Sequence, residues 1–111
     1  MPRFVLLEHD HPTLHWDLML EMGGVLWTWR LDAIPRPGTP CGAVRIADHR
    51  RRYLDYEGPV SGDRGTVKRV AGGEFGWVEE SPVRVVVELR GVNLSGRVTV
   101  EGEMLRLDPL E

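Results

Sequence analysis

The segment LHWDLMLEMGGVLWTWRL, residues 14–31, decides the fold because it predicts two paired β-strands. From Leu14 to Met22 every second residue is apolar, which is the period of a strand with one buried face. His15, Asp17, Met19 and Glu21 occupy the opposite face, which is expected to be wet. Gly23-Gly24 then supplies the positive φ angles of a tight hairpin, and residues 25–31 return as the second strand.

Short apolar segments separated by glycine and proline extend this pattern over the 111 residues. Residues 32–42 hold three prolines and two glycines and are expected to form a loop. No segment of ten or more residues carries a helical stripe, although residues 47–53 can form one turn. Further strands are predicted at residues 4–7, 43–47, 53–56, 65–70, 76–79, 83–89, 94–100 and 104–107.

Many short strands predict an all-β fold, either a sandwich or a barrel. A compact antiparallel β-barrel of about seven to nine short strands with little helix is favoured, because a barrel leaves no exposed edges. Residues 1–111 are expected to form a single domain. Tryptophans 16, 27, 29 and 77 are assigned to the core.

The composition excludes several broad classes of protein. A formal net charge of −3 gives no overall basic character, so a nucleic-acid partner has to be held by local arginine clusters. Cys41 is the only cysteine and cannot form an internal disulfide, and its loop offers no nucleophile partner. Without a signal-peptide pattern or an apolar run of about 20 residues, a cytoplasmic monomer with no membrane association is expected.

The stretch EHDHPTLHWD, residues 8–17, concentrates histidines and carboxylates. His15 and Asp17 are two residues apart on one strand, so they project from the same face at a spacing that suits one metal ion. His9 can fold back as a third ligand across a bend that contains Pro12. Two imidazoles and a carboxylate suit zinc, manganese or iron. The alternative is a set of solvated surface residues, and His11, followed by proline, is expected to be exposed.

A second concentration of charge follows at residues 47–67, where His49 precedes Arg50, Arg51 and Arg52. Guanidinium groups beside a histidine indicate an anion site, since each can bind phosphate oxygens through two hydrogen bonds. A solvated charge run on a loop is the alternative.

These motifs in this order resemble the 3′-phosphoesterase domain of bacterial DNA ligase D. The pattern is E-H-x5-H-W-D-L-x-L-E, a hairpin, a proline-rich loop, D-H-x3-Y-x-D-Y-E-G and G-T-V, followed by a late hairpin in VRVVVELRGVNLSGRVTV. The resemblance implies a β-barrel that removes 3′-terminal phosphates and ribonucleotides with a divalent metal. Manganese is the expected metal, and zinc is the alternative. It implies the metal ligands His9, His15 and Asp17, and phosphate contacts from His49 and Tyr53. Nucleic-acid 3′ ends, and an end-joining ligase or polymerase, are the implied partners.

The sequence departs from the family pattern at two positions where the family has arginine. Those positions hold Met19 and Cys41. A transferring phosphoryl group needs cationic donors as well as a metal. Candidate replacements are Arg45, Arg50, Arg52 and Arg64, of which Arg52 and Arg64 are predicted to act with His49 and Tyr53.

Three functions follow from this pattern. The first is a metal-dependent phosphoesterase that acts on nucleic-acid 3′ ends. The second is a non-catalytic module that binds DNA ends or a repair partner, and the third is a phosphoesterase for a small phosphorylated substrate.

Overall fold

The computed structural model describes residues 1–110, which fold into nine strands and one short helix. The strands are β1 (Arg3–His9), β2 (His15–Met22), β3 (Val25–Leu31), β4 (Cys41–Arg50), β5 (Gly58–Pro59), β6 (Thr66–Glu80), β7 (Arg84–Val92), β8 (Ser95–Glu101) and β9 (Met104–Asp108). A 3₁₀ helix at Arg51–Leu54 follows β4. Within residues 1–110 no helix has the length and apolar character needed to traverse a bilayer.

The strands close into an antiparallel barrel of eight strands. Strands β1 to β4 are joined in order, β4 pairs with β9, and the sheet returns through β8, β7 and β6 to β1. The ninth strand, β5, adds to the outside of β6. The prediction of a β-barrel with little helix is confirmed, and the sandwich alternative is wrong because β6 pairs with β1 and leaves no second sheet.

Apolar side chains from every long strand fill the barrel interior. The predicted buried face of β2 contributes Leu18 and Leu20, which pack with Trp29 of β3 and Phe75 of β6. Trp16 and Trp27 are partly buried against this core, whereas Trp77 is 36% exposed. The core assignment is therefore confirmed for Trp29, holds in part for Trp16 and Trp27, and is wrong for Trp77.

The other face of β1 and β2 is also covered, which the alternating pattern did not predict. Met19 is 1% exposed and packs outside the barrel with Val5, Leu7, Leu26, Leu54 and Val67. The 3₁₀ helix places Leu54 over this outer cluster, with Tyr53 and Tyr56 at its edge. The outer face was expected to be wet, and that expectation is wrong because residues 50–60 fold back over it.

Three segment boundaries differ from the sequence prediction. The strand predicted at residues 53–56 is wrong, because residues 51–54 form the 3₁₀ helix, which overlaps the single turn predicted within residues 47–53. Strand β4 begins at Cys41 rather than after the loop. Strand β6 runs without a break from residue 66 to 80. Its glycines do not form a turn but allow β6 to pass close to β7, because a Cβ at Gly73 would meet the backbone of Arg90 and Gly91.

Ionic contacts tie the 3₁₀ helix to the barrel. Glu21 of β2 accepts a hydrogen bond from the backbone N–H of Arg3 at 2.9 Å and another from Nε of Arg51 at 2.7 Å. The Arg3 hydrogen bond, followed by the Arg51 one, lowers the pKa of the Glu21 carboxyl from its usual value. The Asp55 carboxylate binds the Arg3 guanidinium at 2.6 Å, and this hydrogen bond lowers the pKa of the Asp55 carboxyl.

We expect Glu21→Gln to destabilise the protein near neutral pH by about 0.5–1 kcal/mol, the scale of a screened ion pair. A carboxyl with a lowered pKa stabilises the fold above its unfolded value near 4.5 and loses that contribution as pH falls through the folded pKa. The difference between wild type and variant should therefore vanish in acid. Urea unfolding at neutral pH and at an acidic pH below the folded pKa of Glu21 measures it. Glu74→Gln, at an exposed position of β6 without an ion partner among residues 1–110, is the control and should show no such pH dependence.

Candidate metal centre

The register between β1 and β2 brings two of the predicted ligands together. His9 is the Cα partner of His15 in this antiparallel pair, and their rings lie 4.9 Å apart. Asp17 follows two residues later on the same face of β2, opposite Leu7. His15 is 5% exposed and Asp17 is 2% exposed, so the alternative of solvated surface residues is wrong for this pair.

Hydrogen bonds to backbone carbonyls fix which nitrogen of each histidine is free. A carbonyl only accepts, so Nδ1–H of His15 donates to Thr13 O at 2.8 Å, and Nε2–H of His9 donates to Arg64 O at 2.8 Å. The lone pairs of His15 Nε2 and His9 Nδ1 remain. These atoms lie 3.4 Å and 3.8 Å from Oδ2 of Asp17. Backbone partners of this kind orient imidazoles for metal coordination.

The three side chains fit a divalent metal ion. One ligand atom from each of His9, His15 and Asp17 lies within 4.8 Å of the others. His15 Nε2 and Asp17 Oδ1 are buried and have no hydrogen-bond partner in the described chain. Buried polar atoms without partners destabilise a fold unless an unseen ligand satisfies them, and two imidazoles with a carboxylate suit zinc or manganese.

A cleft of about 710 Å³ opens beside the triad on the outside of the barrel. Its volume is in the usual range of small-ligand sites. His11, expected to be exposed, is only half-buried and lines this cleft, with its ring 6.4 Å from that of His9. The lining includes His9, Asp17 and Met19 of the barrel, together with Arg30, Asp48, His49, Arg50, Arg52, Tyr53, Tyr56, Ser61 and Arg64.

The predicted phosphate residues His49, Tyr53, Arg52 and Arg64 all line this cleft. His49 reaches it because the β3–β4 register shifts between Leu26 and Thr28, so that His49 lies opposite Leu26 of the outer cluster. An extra residue in one strand changes the face from which later side chains project. The Tyr53 ring lies edge-on to His49 with centroids 5.9 Å apart.

The two remaining arginines that were predicted as replacements differ in position. Arg50 lines the cleft, but Arg45 does not. The Arg45 guanidinium lies over the rings of Trp27 and Trp29, at 4.6 Å and 4.9 Å, and pairs with Asp48 at 3.2 Å. Arg45 is therefore already engaged by two aromatic rings and a carboxylate outside the cleft.

Met19 and Cys41, which replace the arginines of the family pattern, are both buried apolar residues. Met19 belongs to the outer cluster. Cys41 lies inside the barrel rather than in a loop, and burial raises the pKa of its thiol. Its low exposure agrees with the absence of a reactive role.

The arginines of the described chain divide into two groups. Those outside the cleft mostly have a carboxylate within 4.0 Å: Arg3, Arg45, Arg51, Arg69, Arg84, Arg90, Arg97 and Arg106. The four that line the cleft, Arg30, Arg50, Arg52 and Arg64, have no such partner among residues 1–110. Arg30 was missed by the sequence analysis, because only the strand register places it beside Asp17.

The loop after β5 supports His9 through a tightly packed glycine. Gly65 has φ of +75°, and a Cβ there would overlap Oδ1 of Asp10 and lie 2.7 Å from Cβ of His11. Oδ1 of Asp10 also accepts a hydrogen bond from the backbone of Thr66 at 2.8 Å. This packing holds the Arg64 carbonyl against His9.

Comparison with known proteins gives one family. A family model described as the DNA Ligase D 3′-phosphoesterase domain matches residues 7–105. The multifunctional non-homologous end joining protein LigD of Pseudomonas aeruginosa is 31% identical over 108 residues, which cover 86% of this chain and 12% of that protein. The chain therefore spans a small part of that relative's length.

We expect Asp17→Ala to weaken manganese binding by more than about 100-fold, because it removes the carboxylate that both imidazoles face. His11→Ala should leave most of the affinity, since its ring is not part of the triad. Calorimetric titration of the metal-free proteins measures both. Asp17→Asn, which keeps the side-chain volume, reports whether the fold tolerates loss of the charge. Equal losses in the Asp17 and His11 variants would show that the ligand set is wrong.

Gly65→Ala should weaken metal binding by about 10- to 100-fold, the usual effect of disturbing a group that orients a ligand. Gly62→Ala is a matched control, because Gly62 has the same φ of +75° but its nearest neighbour, Arg64 Nε, lies at an ordinary 3.5 Å. Both variants carry the same backbone strain. A loss of metal affinity as large in the Gly62 variant would assign the effect to strain instead of His9 orientation.

Proposed function

Because the chain belongs to the DNA ligase D 3′-phosphoesterase domain family, we propose that it is a metal-dependent phosphoesterase acting on nucleic-acid 3′ ends. It removes a 3′-phosphate or a 3′-ribonucleotide during DNA end repair. The observation that carries the proposal is one cleft. It is lined by residues of the His9, His15 and Asp17 cluster, by His49 and by four arginines that have no carboxylate partner among residues 1–110. A phosphoryl group, which bears negative charge on several oxygens, matches that combination.

The triad would hold the ion through His9 Nδ1, His15 Nε2 and a carboxylate oxygen of Asp17. We propose manganese, with zinc as the alternative, since both accept imidazole and carboxylate ligands. A divalent ion bound there supplies a Lewis acid for a phosphate oxygen. The protein's own part is to keep both imidazoles in the right tautomer through the carbonyls of Thr13 and Arg64.

His49 is proposed to contact the scissile phosphate. Its Nδ1–H donates to Ala47 O at 2.9 Å, so Nε2 is left for the substrate. As imidazolium, that nitrogen can donate a hydrogen bond to a phosphate oxygen or a proton to the leaving oxygen. Tyr53 packs edge-on against the ring and limits its rotation.

Arg52 and Arg64 are proposed to balance the charge of the phosphoryl group. The Arg52 guanidinium lies over the Tyr56 ring at 4.4 Å, which orients it at the cleft wall. Arg64 donates through Nε to Ser61 O at 2.7 Å, and through Nη2 to the Ser61 hydroxyl at 3.2 Å. Their preformed positions reduce the reorganisation that charge stabilisation requires.

A second candidate is a non-catalytic module that binds DNA ends or an end-joining ligase or polymerase. The burial of Met19 and Cys41, where the family pattern has arginine, favours it. The relative in Pseudomonas aeruginosa carries "non-homologous end joining" in its name, and such a partner is proposed here on that basis. The third candidate function is a phosphoesterase that acts on a small phosphorylated substrate, and the experiment below tests it as well.

With manganese, wild type is expected to release phosphate from a primer-template with a labelled 3′-phosphate. His49→Ala should lower turnover by about 10²- to 10⁴-fold, the range for a lost proton-transfer group. Tyr53→Phe should lower turnover less, because the ring that packs on His49 remains. Calorimetry should find manganese affinity unchanged in both variants.

Controls decide between the three functions. A primer with a 3′-hydroxyl should give no phosphate, and a free nucleoside 3′-monophosphate tests for a small substrate. Failure of wild type to release phosphate from any 3′ end with manganese or zinc would reject the enzyme. Retained binding of the 3′-phosphate end would then support the module.

A further inference from the structure

Arg30 lies beside the metal triad because of strand register. It is the Cα partner of Asp17 in the β2–β3 pair, and directly opposed residues have Cβ atoms about 4.5–5.5 Å apart on one face. The face is the outer one, and the Arg30 side chain is exposed and lines the cleft. A long side chain at this position reaches a group bound at the triad.

Arg30 forms no ion pair with any residue of the part of the chain that the structure describes. Its partner across the next strand pair is Val44, and Met19 lies diagonally across β2. Among residues 1–110 its guanidinium has no carboxylate within ion-pair distance, even though Asp17 is its register partner. The Asp17 carboxylate faces the two imidazoles instead.

A divalent cation at the triad would make this arrangement repulsive on its own. Two positive groups a few ångströms apart in a partly desolvated cleft raise each other's energy. A polyanion that bridges the cation and the guanidinium removes the repulsion and satisfies both. Phosphate suits this position because the planar guanidinium can donate two parallel hydrogen bonds to its oxygens.

We propose that Arg30 binds the terminal phosphate of the substrate in the cleft that His49 also lines. This role rests on the proposed function for the identity of the substrate. The binding of the phosphate itself does not depend on turnover. Arg30 thus supplies a cation from β3. The neighbouring position on β2 holds Met19, which supplies none.

The test is calorimetric titration of inorganic phosphate into manganese-loaded protein. Arg30→Met keeps the aliphatic stem and should weaken phosphate binding by about 10- to 100-fold, the value of charge-assisted hydrogen bonds. Arg30→Lys should recover part of the affinity, since it keeps the charge but loses the two-pronged geometry. Arg36→Met is the matched control: Arg36 also lacks a carboxylate partner among residues 1–110, but lines a separate groove beside Trp16.

The proposal is supported if only the Arg30 variants lose phosphate affinity while manganese affinity and melting temperature stay at wild-type values. It is overturned if Arg30→Met binds phosphate as wild type does, if Arg36→Met loses as much, or if the loaded wild type binds no phosphate. Phosphate binding that depends on Arg30, without release of phosphate from any 3′ end, would reject the proposed enzyme and leave the phosphate site standing.

Discussion

The pairing of β1 with β2 is the constraint on which the site depends. Its register sets His9 opposite His15 and leaves Asp17 on the same face. A slip of one residue would turn these side chains into the barrel and bring Leu18 and Leu20 out. The apolar residues that fill both sides of the two strands oppose such a slip, so core packing and ligand geometry are fixed by the same hydrogen-bond ladder.

Sequence periodicity predicted the strands and placed His15 and Asp17 on one face, because both follow from alternation along a single strand. His9 was added through a bend and through the family motif, since its position opposite His15 depends on the β1–β2 register. It did not predict the second covered face, since the 3₁₀ helix that covers it comes from a charged segment without a clear stripe. His49 was identified through its motif, but its direction depends on an irregularity in β4 that alternation does not indicate. Arg30 escaped notice because its importance arises from a partner strand, and cross-strand register is not visible in one segment.

The distribution of arginines explains how a chain with net charge −3 can present a cationic cleft. On the remaining surface the arginines mostly pair with carboxylates; Arg51 joins the 3₁₀ helix to β2, and Arg97 joins β8 to β7. The arginines of the cleft form no such pair within residues 1–110. Local uncompensated charge, rather than the overall field, therefore determines where an anion is attracted.

The cleft lies outside a closed and filled barrel, so the barrel strands and the segment that covers their outer face open in different ways. The barrel strands exchange hydrogen bonds around a complete ring, so opening them requires global unfolding. His49 belongs to β4 and pairs with Leu26 of β3, whereas the segment that carries Arg52 and Tyr53 is attached by Leu54 and a few ionic contacts. Its amide hydrogens can therefore exchange with solvent through small local openings while the ligand strands stay protected. Such a division lets the covering segment move without loss of the rigid platform beneath it.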